Sequence, residues 1–301
     1  MKIIVTHTSP DWDAITSVWL LKKYLAGWQD ADVKFVPAGQ KYQNREVKIK
    51  EAGEDPIERI GEDEIIHVDT GMGPLDHHQT QDTNVCGASR TWDYVQEALK
   101  KAKDRLTPEH KEAISRIVKI VVDTDHFKEV FWPDAAADRY EFSLLGVLEG
   151  LKYVKQGNDI AYLEFGIECL NALVATFENR IWAEREIQEK GIKFETKYGK
   201  GIGFETLNDT VLKLSQKLGY IVVVRKDPRK GYVRIKTLPA NGENKGADLT
   251  NAYNQFSKMD PEATWFLHVS KKMLLNGTPK NPKMIPTKLT LREIIKVLER
   301  I

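Results

Sequence analysis

Cysteine is almost absent from this chain: Cys86 and Cys169 are the only two in 301 residues. That scarcity excludes a disulfide framework and any metal site built from several thiolates. Long apolar runs are missing too, since no stretch approaches the roughly 18 consecutive apolar residues of a membrane span. Met1 to Thr6 lack the basic and apolar regions of a signal peptide. A cytoplasmic protein without a membrane partner is therefore expected. There is no internal repeat, no low-complexity tract and little net charge, only +1.

That near-zero total conceals a division. From Gly191 onward 21 Lys or Arg stand against 10 Asp or Glu, about +11, so the preceding part carries about −10. An acidic part suits divalent cations and a basic part suits phosphate, although faces of opposite sign can also merely attract each other. With 41% hydrophobic residues, the chain can bury a sizeable core, and its length favours two domains.

The β-branched run Ile3-Ile4-Val5 predicts a strand, and Ala14, Val18, Leu21 and Leu25 recur at helical spacing after it. Val33 to Val36 and Ile65 to Val68 are two further apolar runs. The expected class is α/β: an open, mostly parallel sheet with helices over residues 1–156, a connector helix over 157–191, and a smaller basic α+β domain over 192–301. Helices are predicted from Ser89 to Lys103, from Pro108 to Val121 and between Asn158 and Lys190. The last carries a seam of Leu163, Ile167, Leu170, Val174, Phe177 and Ile181, which could pack within the chain or pair two copies as a homodimer. A hairpin is expected from Tyr220 to Val224 and Tyr232 to Leu238 around the turn Asp227 to Gly231. Thr290-Leu291-Arg292-Glu293 is a capping box that opens a final helix.

Ligands of open α/β sheets collect beyond the carboxyl ends of the strands. His7, Asp11 and Asp13 follow the first strand, and Asp69 follows a later one, with Asp76-His77-His78 shortly after. Carboxylate plus imidazole without thiolate suits Mn²⁺, or Mg²⁺ or Co²⁺, and two such ions can set a hydroxide against phosphorus. Asp69 could bridge two ions with its two oxygens. Adjacent His77 and His78 should face opposite ways in extended chain, so one would bind metal and the other would face substrate, with Asp76 fixing an imidazole. A fourth carboxylate is sought in Val121-Val122-Asp123-Thr124-Asp125-His126, where Asp123 is preferred and Asp125 is its rival. Arg90, His268, Lys271 and Lys272 are candidates to meet phosphate oxygens, or simply solvated charges. His67 and His126 read as neighbours of the site.

This order of motifs resembles the DHH phosphoesterase superfamily, named for the triplet seen here as Asp76-His77-His78, over roughly the first 125 residues. The resemblance implies that His7 and Asp11 bind one Mn²⁺, that Asp13 and His77 bind a second, and that Asp69 and Asp123 occupy bridging or shared positions. His78 then matches the substrate-facing histidine, with Asp76 beside it in the catalytic group. The Gly-Gly-Gly-His signature of RecJ-like exonucleases, oligoribonucleases and cyclic-dinucleotide phosphodiesterases is missing. Instead, Phe266-Leu267-His268-Val269-Ser270-Lys271-Lys272 is similar to the tail of the melanocyte-proliferating-gene family of metal-dependent hydrolases and exonucleases. That family's first motif differs from the His-x-x-Pro-Asp-x-Asp form here.

The expected activity is Mn²⁺-dependent hydrolysis of phosphodiester bonds, on short single-stranded nucleic acid cut from one end. The rivals are inorganic pyrophosphatase, (cyclic) nucleotide phosphodiesterase, and a catalytically inactive binding scaffold.

Overall fold

A computed structural model of the chain describes residues 1–240, 246–278, 281 and 283–301. It divides into two compact units, Met1–Glu178 and Asn179–Ile301. Both are mixed α/β.

The first unit holds a four-stranded sheet of β1 (Lys2–His7), β2 (Asp32–Val36), β3 (Ile57–Ile60) and β4 (Asp63–His67), in the order β2-β1-β4-β3. β1 runs parallel to β2 and to β4. β3 is the departure from a parallel sheet, because it pairs antiparallel with β4 across the short Gly61-Glu62 turn. Its sequence, Ile57-Glu58-Arg59-Ile60, is too short and polar to announce a strand; an edge position lets it stay half-wet. Alternation along β1 puts Ile3 and Val5 with Val36 and Ile65 on one face, in a cluster that also takes Tyr42 and Ile60.

Helix α1 (Trp12–Tyr24) is buried along nearly its whole length, which is why it is apolar on all sides rather than on one stripe. It packs on β1, on α2 (Gly87–Ala102) and on α3 (Pro108–Asp125). α4 (Leu144–Val154) buries only Leu148. α5 (Asp159–Glu189) is 31 residues long and contains the boundary between the two units.

The most apolar 18-residue window of α5 has a mean hydropathy of 1.4, so by length and composition it is long and apolar enough to cross a membrane. This corrects the expectation that no stretch approaches a span: the apolar residues are interrupted by polar ones, yet their average is high. Its seam lies against protein. Leu163, Leu170, Val174 and Ile181 are buried, while Ile167 and Phe177 are half-buried. Gly166 allows the close approach to α1, since a Cβ there would stand 2.5 Å from Ile15 Cγ2. Asn171 Oδ1 accepts from the Trp19 indole at 3.1 Å.

The second unit has a six-stranded sheet of β5 (Ile192–Thr196), β6 (Gly199–Glu205), β7 (Val222–Lys226), β8 (Val233–Thr237), β9 (Trp265–Leu267) and β10 (Met273–Asn276), ordered β5-β6-β7-β8-β10-β9. Among the described residues, β6 and β7 are the one parallel pair in this sheet. Its helices are α6 (Thr210–Lys217), α7 (Thr250–Met259) and α8 (Leu291–Leu298). Val222 and Val224 join one core with Phe256, Ile294 and Leu298, while Val223 joins another with Val211, Leu212 and Ile187. A strand covered on both faces reads as an unbroken apolar run, as β7 does. The expected β7–β8 hairpin around Asp227 to Gly231 is present.

Candidate metal centre

β1 ends at His7 and α1 begins at Trp12, so the intervening loop lies at the carboxyl edge of the sheet. Asp11 is the N-cap of α1: its Oδ1 accepts from Asp13 N at 2.9 Å and from Ala14 N at 3.0 Å, satisfying donors that a helix start leaves open. The fold thereby fixes Asp11 at the rim while Asp13, two residues on within the first turn, is fully buried. β4 delivers Asp69 to the same rim two residues after His67. Asp69 has a φ of 51°, a left-handed conformation that aspartate tolerates better than most residues.

The carboxylate of Asp69 lies between two histidine groups. Its Oδ2 is 3.1 Å from His7 Nε2, and its Oδ1 is 3.6 Å from His77 Nε2 and 3.8 Å from His78 Nδ1. His77 Nε2 is also 3.7 Å from Asp13 Oδ2 and 3.5 Å from Asp125 Oδ2. Three overlapping sets of side chains bring ligand atoms close enough together to hold a cation, His7-Asp11-Asp69, Asp69-His77-His78 and His77-Asp125-His126, and Asp13 Oδ2 lies beside the His77 of the last two. On His7, Nδ1 donates to the Thr8 carbonyl at 2.9 Å, which leaves the Nε2 lone pair for a ligand.

Asp69 Oδ1, His77 Nε2 and Asp125 Oδ2 are buried and have no hydrogen-bond partner. Buried polar atoms are ordinarily paired, and unpaired ones are costly. Two such oxygens, each within 3.6 Å of the unpaired His77 Nε2, leave a place for a divalent cation, and the donor set of carboxylate and imidazole suits Mn²⁺, Mg²⁺ or Co²⁺.

The electrostatics agree. Burial, and then repulsion from Asp69, Asp11 and Asp125, hold Asp13 well above the usual carboxylate range, and burial followed by Asp11, Asp76 and Asp125 does the same to Asp69. Burial and Asp11 push Asp125 up to about 6. Among the described residues no Lys or Arg forms an ion pair with Asp13, Asp69 or Asp125. Burial, and next the neighbouring His78, lower His77 to about 4, so its ring is neutral and ready to ligate.

Asp125, not Asp123, faces this cluster. Two residues along a helix are about 200° apart, so the end of α3 can present only one of them. Asp123 turns away to Lys128, whose Nζ is 3.3 Å off. His126 donates from Nε2 to the Val85 carbonyl at 2.8 Å, and His67 Nε2 accepts from Tyr42 N at 3.0 Å, so both are engaged elsewhere.

His77 and His78 do not point apart as expected for extended chain. Their rings are 4.5 Å from one another because the backbone turns here, with Thr80 N bonded to His77 O at 3.0 Å. Asp76 is buried and fixes His78: its Oδ1 is 2.6 Å from His78 Nδ1, and its Oδ2 accepts from Met72 N at 2.7 Å. Burial works against ionisation of Asp76, yet these hydrogen bonds hold it below the usual range. The Asp76 hydrogen bond raises the half-exposed His78 above the ordinary histidine value. Arg90 reaches the same loop, donating to the Asp76 carbonyl at 2.5 Å.

Gly87 and Ala88 belong to the centre through their peptide groups and not through any side chain. Their N–H groups open α2 and donate to Asp13, Gly87 to Oδ2 at 2.7 Å and Ala88 to Oδ1 at 2.5 Å. A helix start favours a carboxylate. A Cβ on Gly87 would stand 3.0 Å from both Asp13 Oδ2 and Asp69 Cβ, so the glycine is what lets the helix come this near. A small residue at a helix start was the one available signal.

His268, Lys271 and Lys272 lie in the second unit, in the turn between β9 and β10. His268 Nδ1 meets Ser270 Oγ at 2.8 Å, Lys271 pairs with Asp248 at 3.4 Å, and Lys272 donates to the Ala247 carbonyl at 3.0 Å. Compared with known proteins, the chain matches no family model and no curated sequence.

Proposed function

We infer that this chain is a DHH-type, two-metal phosphoesterase that hydrolyses phosphodiester bonds. The supporting observation is the Asp69 carboxylate, whose two oxygens face two separate histidine and carboxylate groups. His7, Asp11 and Asp69 would hold one ion; His77, Asp13, Asp125 and Asp69 would hold the other. Two bound divalent cations supply a water of lowered pKa and neutralise charge on the phosphoryl oxygens.

The chain's own residues do the rest. Gly87 and Ala88 fix the Asp13 carboxylate through peptide hydrogen bonds, which keeps a buried anion in one orientation. Asp76 is a positioning residue. It binds Nδ1 of His78, orients that ring and favours its cationic form, leaving Nε2 to donate to a phosphoryl or leaving-group oxygen. Arg90 anchors the turn through the Asp76 carbonyl.

The substrate is a short single-stranded oligonucleotide cut from one end. Support comes from the excess of about 11 positive charges after Gly191, since a phosphate backbone needs several cationic contacts. Incubating the full chain with Mn²⁺ and labelled short RNA, short DNA, cyclic dinucleotide and pyrophosphate tests this. Release of mononucleotide is the expected result. Orthophosphate from pyrophosphate alone would make it a pyrophosphatase, and no turnover together with no Mn²⁺ binding by calorimetry would make it a scaffold.

A further inference from the structure

Beside the metal ligands, and wholly within the first unit, a cavity of about 290 Å³ is walled by Asp11, Asp13 and Asp125 on one side and by Glu129, Leu145 and Glu149 on the other. The last three also wall a second recess of about 430 Å³, which runs on to Val130, Trp132 and Tyr140. Through those three shared residues the two recesses adjoin beside the cluster, and the second is in the size range of small-molecule sites. Leu145 and Glu149 are four residues apart on α4, hence on one face. This gives α4, which buries only Leu148, a reason to be where it is.

Three features decide what such a depression accepts. Among the described residues no Lys, Arg or His lines either part, although Arg139 stacks over the Tyr140 ring at 5.0 Å and Lys152 pairs with Glu149, so a run of phosphates entering it would meet mostly carboxylates. Trp132 and Tyr140 offer flat apolar surface, their rings 5.5 Å apart and tilted by 44°. Glu129 Oε2 is buried without a hydrogen-bond partner, whereas Glu149 is engaged by Lys152 at 3.1 Å. A carboxylate is an acceptor only, so Glu129 calls for a ligand N–H.

We propose that this depression is a nucleobase subsite, and that it takes a base with an exocyclic amine, adenine, cytosine or guanine, attached to the phosphate being cleaved. The proposal rests on the phosphoesterase reading for the phosphate and adds the neighbouring group. A base supplies a planar face for the rings, an interaction of the kind that holds bases on aromatic side chains, and an amine for Glu129. Uracil and thymine present a ring N–H flanked by two carbonyls, which a carboxylate repels. Pyrophosphate has nothing to place here.

The test uses nucleosides, which carry no phosphate. Adenosine and uridine are titrated into the full chain, with and without Mn²⁺, and followed by saturation-transfer NMR. Adenosine is expected to bind and uridine to bind more weakly. Trp132→Ala should weaken adenosine about tenfold, and Glu129→Ala should bring adenosine down to the uridine level. Tyr140→Ala gives the same reading as Trp132→Ala should that variant fail to fold. Absence of adenosine binding, or equal adenosine affinity in wild type and all variants, overturns the subsite. Failure of the two readings is separable: binding of adenosine with no hydrolysis anywhere in the substrate panel removes the phosphoesterase reading alone, and hydrolysis of oligonucleotide without adenosine binding removes the subsite alone.

Discussion

Two places in this protein gather histidine beside charged residues, and they differ in what those residues lack. At the rim of the first sheet, Asp69 Oδ1, His77 Nε2 and Asp125 Oδ2 are buried with no partner. In the β9–β10 turn every candidate is already engaged: His268 by Ser270, Lys271 by Asp248, Lys272 by the Ala247 carbonyl. The sequence makes the two places look alike as collections of polar side chains. Folding separates them, because unsatisfied buried atoms carry a cost that a ligand can relieve, while a self-satisfied turn has nothing to gain.

The largest effect should come from replacing ligands at the rim. On the two-metal reading, His77→Ala and Asp125→Ala would each remove a metal ligand and are expected to lower kcat/KM for oligonucleotide hydrolysis at least about a hundredfold. Asp123→Ala, His268→Ala and Lys271→Ala should stay within about threefold, with circular dichroism unchanged for all five. Equal losses for Asp123→Ala and Asp125→Ala would erase the distinction drawn at the end of α3.

An intermediate effect is expected from pH. Asp13 and Asp69 are raised and Asp125 lies near 6, so the metal-free centre retains protons at mildly acidic pH that Mn²⁺ must displace. His77, near 4, is already deprotonated there and releases none. Mn²⁺ affinity should therefore rise with pH between 5 and 7, about tenfold per unit for each proton displaced. Calorimetry in buffers of different ionisation enthalpy should show release of protons to the buffer. Affinity flat across that range would mean the carboxylates are not protonated in the free protein.

The smallest effect tests the helix start. Gly87→Ala puts a methyl group 3.0 Å from Asp13 Oδ2 and Asp69 Cβ. A stability loss of about 1–3 kcal/mol by chemical denaturation is expected, together with weaker Mn²⁺ binding. Unchanged Mn²⁺ affinity would show that α2 does not set the position of Asp13.

The elements that could be read in advance were those in which local pattern and tertiary role coincide. Ile3-Ile4-Val5 and the run Ile65 to Val68 are largely apolar because they belong to central strands and their ends, and the polar residues just beyond them had to meet at one sheet edge. His7, Asp11, Asp13, Asp69 and His77 were legible for that reason. Asp125 was legible only as one of two, because the choice depends on how far α3 continues and on how it is rotated. The turn that brings the His77 and His78 rings together has no side-chain signature. Gly87 and Ala88 act through peptide N–H groups, which every residue but proline possesses. β3 is too short and half-wet to leave a period, whereas α4 does repeat Leu144, Leu148 and Leu151 at helical spacing although only Leu148 is buried.

Asp69 carries one more consequence. Its left-handed backbone narrows the residues that can stand there without conformational penalty to aspartate, asparagine, glycine and a few others. Of these, only aspartate brings two anionic oxygens. Replacement by asparagine therefore dissects the two demands, sparing the loop's shape while abolishing its charge, whereas alanine would disturb both at once. Geometry and chemistry here select the same amino acid independently, so mutational drift at this position has almost nowhere to go.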